Sequence, residues 1–217
     1  MKNLIRRIVS SSLGLTFLLG LRDRQRINIA LTKGSISKLN REVNLQDPSS
    51  WEFSGFSQNG EDGIIDVLCS QINTDKNKYF IEIGAADGID NNSAWPLITK
   101  KFNGLMIEAD QELARTAQRI IKSSSNSNNH GLSVLQQFVT VDNIGEIKAA
   151  TQFLNPDFMS LDIDSMDYYV AKKIIDSGFR PKIFVVEYNS VFGPTNPLTI
   201  KFDKDFIFGK ADPSFLY

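Results

Sequence analysis

KYFIEIGAADG, residues 78–88, decides the fold. An unbroken apolar run with one acid leads into a turn bracketed by Gly84 and Gly88. Strands buried on both faces read this way, because a parallel sheet covered by helices leaves no wet face to alternate with. Four later stretches repeat the pattern: GLMIEAD at 104–110, LQQFVTV at 135–141, FMSLDID at 158–164 and KIFVVEYN at 182–189. Each ends in acidic or amide residues or, for the stretch 135–141, is followed at once by Asp142 and Asn143, which collects polar groups at the carboxyl edge of the sheet.

Helical periodicity fills the intervals. EDGIIDVLCSQI, residues 61–72, sets Ile64, Ile65, Leu68 and Ile72 on one face, with Glu61 and Asp62 in its first turn. Residues 111–122 repeat the pattern at Leu113, Ala114, Ala117, Ile120 and Ile121, and a helix after Asp164 carries Met166, Tyr169, Val170, Ile174 and Ile175. SSSNSNN at 123–129 reads as a polar surface loop. Strand and helix alternating at this spacing predict an α/β doubly wound domain with helices on both faces and function beyond the carboxyl ends of the strands.

The chain has 217 residues, room for one domain with a sizeable core and a little extra. A division at 1–55 and 56–217 is expected: a basic and apolar helix or arm with a loop-rich lead-in over 34–60, then the catalytic-type domain. Net charge is -1, which gives no field to gather phosphate backbones and argues against nucleic acid. Residues 1–26 nevertheless hold six basic side chains and one acid, flanking the short apolar segment 8–21. That segment is too short to span a bilayer. Two readings stay open: an interfacial arm on an anionic membrane surface, implying a cytoplasmic protein peripheral to the inner face, or a helix packed on the domain itself. The single cysteine, Cys69, and single histidine, His130, exclude an intrachain disulfide and the usual zinc clusters, so any metal would be oxygen-ligated.

The turn after the first strand is neither a dinucleotide fingerprint nor a phosphate loop, since GxGxxG and a following Lys are both absent. Glu82 and Asp87 would repel pyrophosphate and attract a ligand with a sulfonium and an α-ammonium. Gly84, Ala85 and Gly88 let the backbone approach it. Glu108, ending the second strand, suits the two hydroxyls of a ribose, and Asp142, past the third, joins the cofactor-binding candidates. At the fourth strand end Asp162 and Asp164 flank Ile163, on the same side if the strand persists. They are the candidates for a general base. Alternatively Asp162, Glu187 and Asn189, with Asp164, would hold Mg²⁺ or another divalent cation that acidifies an acceptor hydroxyl. Helix-cap or loop-holding roles compete for each of these acids.

SQNGEDGII, FIEIGAADG, GLMIEAD, SLDIDSMDY and VVEYN, in this order over about residues 56–192, resemble the FkbM-type S-adenosylmethionine-dependent methyltransferases. The resemblance implies a Rossmann-like class I methyltransferase fold, with Glu82, Gly84 and Gly88 on the methionine part of the cofactor and Glu108 on the ribose. Gln58 and Glu61 would help to close the pocket. It further implies methylation of a hydroxyl on a sugar or related polar acceptor, in the setting of polysaccharide biosynthesis. Such proteins continue past the fifth strand through a helix and an antiparallel strand pair, whereas the sequence ends 24 residues after Gly193. The uncovered edge of the fifth strand would then invite a second copy. The alternative is a non-catalytic, membrane-associated or scaffold protein that keeps the fold.

Overall fold

The computed structural model describes residues 2–72, 78–124 and 131–188, together with 193, 195–196, 198–204 and 206. Strand β1 (Tyr79–Ile83) is the centre of a sheet completed by β2 (Asn103–Glu108), β3 (Leu132–Gln136), β4 (Phe158–Leu161) and β5 (Ile183–Val186). The order is β3-β2-β1-β4-β5, with every neighbouring pair parallel. All five residues of β1 are buried, as its apolar run requires. Period two sends Ile81 and Ile83 into one core with Leu105, Ile107, Met159 and Leu161, and sends Phe80 into the other with Met106, Phe158 and Ile65. Glu82 shares the side of Phe80.

Helices α2 (Glu61–Gln71), α3 (Ala94–Lys100), α4 (Gln111–Ser124), α5 (Ile144–Ala150) and α6 (Asp167–Asp176) complete the layers around the sheet. The chain winds from β1 outward to β3, then returns to place β4 on the other side of β1. Loops after β1 and β4 therefore diverge and open a crevice at the carboxyl ends. The architecture is a Rossmann-like class I methyltransferase fold.

The described chain opens with one long helix, α1 (Lys2–Asn40), of 39 residues. Residues 34–40, expected in the loop-rich lead-in, are its last turns. A stripe at helical spacing explains the continuation: Asp23, Arg26, Ile27, Ala30, Leu31, Gly34 and Lys38 all meet the domain. Ile27, Ala30 and Leu31 pack on the cluster of Phe53, Phe56, Ile89 and Trp95. Gly34 lets the helix lie against Trp95, whose ring would stand 2.5 Å from a Cβ at that position. At the helix end Asp66, buried on α2, takes Lys38 at 2.9 Å, Arg41 at 3.0 Å and Lys100 at 3.1 Å, and accepts from Trp95 Nε1 at 3.2 Å.

These contacts correct the expected membrane arm. Among the described residues no helix is long and apolar enough to cross a membrane. Arg26 is engaged by Asp87 and Asp90, and Asp23 by Arg119, so this part of α1 is turned to the domain. The expected peripheral location at a membrane face falls with the arm. Strand β5, expected to invite a second copy along its edge, is only four residues long, and short edge strands resist such pairing.

The third strand lies at 132–136, beginning three residues before and ending five residues before the expected 135–141. Its burial is patchy because it is an edge, and the chain leaves the sheet after Gln136. Asn143 closes the next turn, accepting from Thr140 N at 2.8 Å and donating to Phe138 O at 2.7 Å, and leads into the unanticipated α5. His130 and most of the polar loop before β3 lie outside the described residues.

Candidate functional site

A cleft of about 340 Å³ opens at the carboxyl ends of β1, β2 and β4, with Gln58, Gly84, Glu108, Asp162 and Asp164 among its walls. These five were expected from sequence. Gly84 has φ +85°, and a Cβ there would lie 1.7 Å from the carbonyl oxygen of Asp162. Glycine is the one residue that lets the β1 turn and the end of β4 meet so closely. The amides of Gly84 and Ala85 both donate to Ile107 O at 3.0 Å, which ties the turn to β2.

Glu108 is buried at the end of β2. Its Oε2 accepts from Ala86 N at 2.7 Å and its Oε1 from Asp110 N at 2.9 Å. Each oxygen retains a further lone pair, so the carboxylate both splints the turn and presents acceptors to the cleft. Gln58 sits on a loop gathered by Asp62, whose Oδ2 accepts from the amides of Gly55, Phe56 and Ser57 at 2.7, 2.6 and 3.0 Å. Burial nonetheless raises the Asp62 carboxyl above its ordinary value, against those amides.

The other cofactor-binding candidates do not line the cleft. Glu82 is completely buried, because its place on β1 points it into the core of Phe80 and Met106. Burial pushes it up to about 8, opposed by the hydroxyls of Ser160 and Ser93 and the Asn92 amide, and reinforced by Asp162. Ala85 and Gly88 are buried behind the turn. Asp87 caps that turn, its Oδ1 accepting from Ile89 N at 3.0 Å, and pairs through Oδ2 with Arg26 at 2.6 Å. Glu61 accepts from Asn59 N on the entry loop, and Asp142 is exposed on the turn before α5.

At the end of β4 the strand does not persist to Asp164. It stops at Leu161, and Asp164 turns the chain with φ +51°. Asp167, at the start of α6, holds that turn by accepting from Ile163 N and Ser165 N, each at 3.0 Å. Asp162 N donates to Ile83 O and Glu187 N to Leu161 O, both at 3.0 Å, so adjacent strand ends carry the two acids side by side. Oxygens of Asp162, Asp164 and Glu187 come within 4.8 Å of one another. Burial and then the charges of Asp162, Asp167 and Asp164 push Glu187 up to about 7. Asp162 is likewise raised, by burial and by Asp164 and Asp167, while its hydrogen bond with Glu187 works the other way. The trio can hold a proton between Asp162 and Glu187, or offer oxygens to a hard cation. Asn189, the remaining metal candidate, lies outside the described residues.

Asp90, Leu113, Gln137 and Phe138 also line the cleft and were not singled out from sequence. Asp90 was readable as an acid near the turn; Gln137 and Phe138 depend on where β3 ends, and Leu113, read from sequence only as part of the apolar pattern of α4, on how that helix begins. Cys69 is buried in the core, where burial pushes its thiol up to about 11, far from a nucleophile's range.

No family model and no curated protein matches the chain. Similar solved structures include an O-methyltransferase from Bacillus cereus in complex with SAH, at 13% identity and TM-score 0.38, over 68% of this chain and 60% of that one. The METTL16 MTase domain aligns at 11% identity and TM-score 0.43 over 71% of this chain and 73% of that one. The N-terminal domain of human METTL16 in complex with SAH gives 12% identity and TM-score 0.40 over 70% and 73%. The resemblance to FkbM-type proteins is corrected accordingly: no family model matches the chain, and the similar solved structures are other methyltransferases.

Proposed function

We propose that the protein is an S-adenosylmethionine-dependent O-methyltransferase acting on a hydroxyl of a sugar or related polar acceptor. The observation that carries this reading is the meeting of Asp162 with the Gly84 turn, where the missing Cβ of Gly84 faces the Asp162 carbonyl. It brings Asp162, which lines the same cleft, next to the turn at which a cationic cofactor would lie. Asp90, Glu108, Asp162 and Asp164 give the cleft an acidic wall suited to a sulfonium and an ammonium. Glu108 would take the ribose hydroxyls, and Gln58 would cover the cleft from the entry loop.

When bound, the cofactor supplies the electrophilic methyl group. The chain's own contribution is at the acceptor. Asp162 takes the proton of the attacking hydroxyl, and its raised affinity for protons, set by burial and by Asp164 and Asp167, makes it a stronger base than a free aspartate. Glu187, beside it, shares that proton and returns it to water. Glu82, Ala85, Asp87 and Gly88 support the turn from behind.

A test is transfer of a labelled methyl group to a panel of saccharide hydroxyls. Asp162→Asn should lower turnover by roughly 10²- to 10⁴-fold, the ordinary worth of a general base, with affinity for S-adenosylhomocysteine little changed. Turnover at the wild-type rate in that variant would exclude Asp162 as the base. A divalent cation on Asp162, Asp164 and Glu187 is the second reading, favoured by the mutual approach of their oxygens. Loss of turnover on chelation, regained with Mg²⁺, would select it.

A further inference from the structure

A cation from α1 reaches the wall of the cleft. Arg26 spans two acids of the β1 turn, its Nη1 donating to Asp87 Oδ2 at 2.6 Å and its Nη2 to Asp90 Oδ2 at 2.8 Å. The two acids differ in what they have left to offer. Asp87 is engaged on both oxygens, because its Oδ1 accepts from the amides of Ile89 and Asp90 at 3.0 and 3.2 Å, and its side chain is 13% exposed. Asp90 lines the cleft with its side chain 58% exposed, and among the described residues its Oδ1 has no partner. An ion pair this open adds little to stability. What the planar fork does supply is a fixed geometry between the two carboxylates. Burial and the charge of Asp87 raise the Asp90 carboxyl, and Arg26 opposes them, so without the guanidinium the two acids would repel each other across the turn. Arg26 is in turn set by a docked helix: Ile27 packs on the cluster of Phe53 and Trp95, and Asp23 meets Arg119 of α4 at 3.1 Å.

We propose that Arg26 is a positioning residue for ligand binding: it holds Asp90 through Oδ2 so that Oδ1 receives the α-ammonium at the amino-acid end of the cofactor. The inference rests on the reading of the cleft as an adenosyl-cofactor site and brings α1 into that site. In the same reading Glu108 takes the ribose hydroxyls, and Asp162 and Asp164 serve the acceptor, which leaves Asp90 as the cleft acid for the ammonium. A carboxylate shared between a guanidinium and an ammonium accepts charge-assisted hydrogen bonds on both oxygens.

The experiment is calorimetric titration of the full chain with S-adenosylhomocysteine and with 5′-methylthioadenosine, which keeps the adenosine and the thioether but lacks the amino-acid end. Arg26→Met and Asp90→Asn should each weaken S-adenosylhomocysteine by about tenfold and leave 5′-methylthioadenosine within about twofold of the wild type. Because the pair acts as one unit, the double variant should lose no more than Asp90→Asn alone. Equal losses of both ligands in Arg26→Met would show that Arg26 only supports the fold, and would overturn the proposal. So would losses that add in the double variant, or wild-type affinity for S-adenosylhomocysteine in Arg26→Met. Should Arg26→Met fail to fold, Asp90→Asn still decides, since unchanged S-adenosylhomocysteine binding there would overturn the ammonium contact. A wild type that binds neither ligand would remove the cofactor reading itself, and this inference with it.

Discussion

Glu82 and Asp66 are both buried acids, yet their surroundings give them opposite pH behaviour. Burial dominates at Glu82, whose Oε2 has no partner, and it titrates at about 8 instead of its ordinary 4.5. A group raised in the folded state keeps its proton there while the unfolded chain has lost it. Its stabilising contribution is therefore complete below about 4.5 and is lost progressively as pH rises to about 8. Glu82→Gln should consequently gain stability over the wild type as pH rises through that window, by roughly 1–3 kcal/mol at its upper end. Urea denaturation of both proteins at pH 5 and pH 8 checks this, and a difference independent of pH would contradict it. At Asp66 burial is outweighed by Lys38 and Lys100, with Trp95 adding a hydrogen bond, and the carboxyl is held below its ordinary 3.8. Its contribution is present above that value and disappears only in stronger acid. Sequence alone showed both as acids in apolar runs and could not tell them apart, because the difference lies in partners from distant helices.

Element by element, legibility follows burial and cooperativity with neighbours. The runs of β1, β2 and β4 were readable because both faces are covered, and α2 and α4 because their apolar residues recur at helical spacing. Strand β3 was not, since an edge strand needs fewer apolar residues and its end is set by the turn that Asn143 closes. The length of α1 was hidden for a related reason. Its docking stripe mixes acids, cations and a glycine whose partners lie on α2, α3, α4 and the β1 turn. Asp66 is the central anchor of that docking. Asp66→Asn should destabilise the protein by roughly 3 kcal/mol, because three clustered cations would lose their common counter-charge. Hydrogen exchange should then speed up along residues 26–40 of α1 and much less in β1. Uniform loss of protection across the sheet would mean that α1 is inseparable from the core. Arg26 extends the same coupling to the cleft, since it pairs with Asp87 on the turn and with Asp90 on the cleft wall.

For the whole molecule, the topology decides where chemistry can occur. The reversal of winding between β3 and β4 opens the crevice, and the acids ending β2 and β4 line it while Glu187, ending β5, stands beside. The sequence could place Asp162, Asp164 and Glu108 at this edge from strand ends alone. It could not reveal that Glu82 and Gly88 sit behind the turn, nor that Gln137 lines the cleft, because these depend on side-chain direction and on the exit of β3. A net charge of -1 concentrates no field over the whole surface, so the acidic cleft is a local feature suited to a small cationic ligand. The central claim is that this cleft takes an adenosyl sulfonium cofactor. Its most direct test is calorimetric titration of the intact chain with S-adenosylmethionine and S-adenosylhomocysteine, with NAD as the control. The account predicts micromolar binding of the first two and none of NAD; a folded protein that binds neither adenosyl ligand, or binds NAD as tightly, would contradict it.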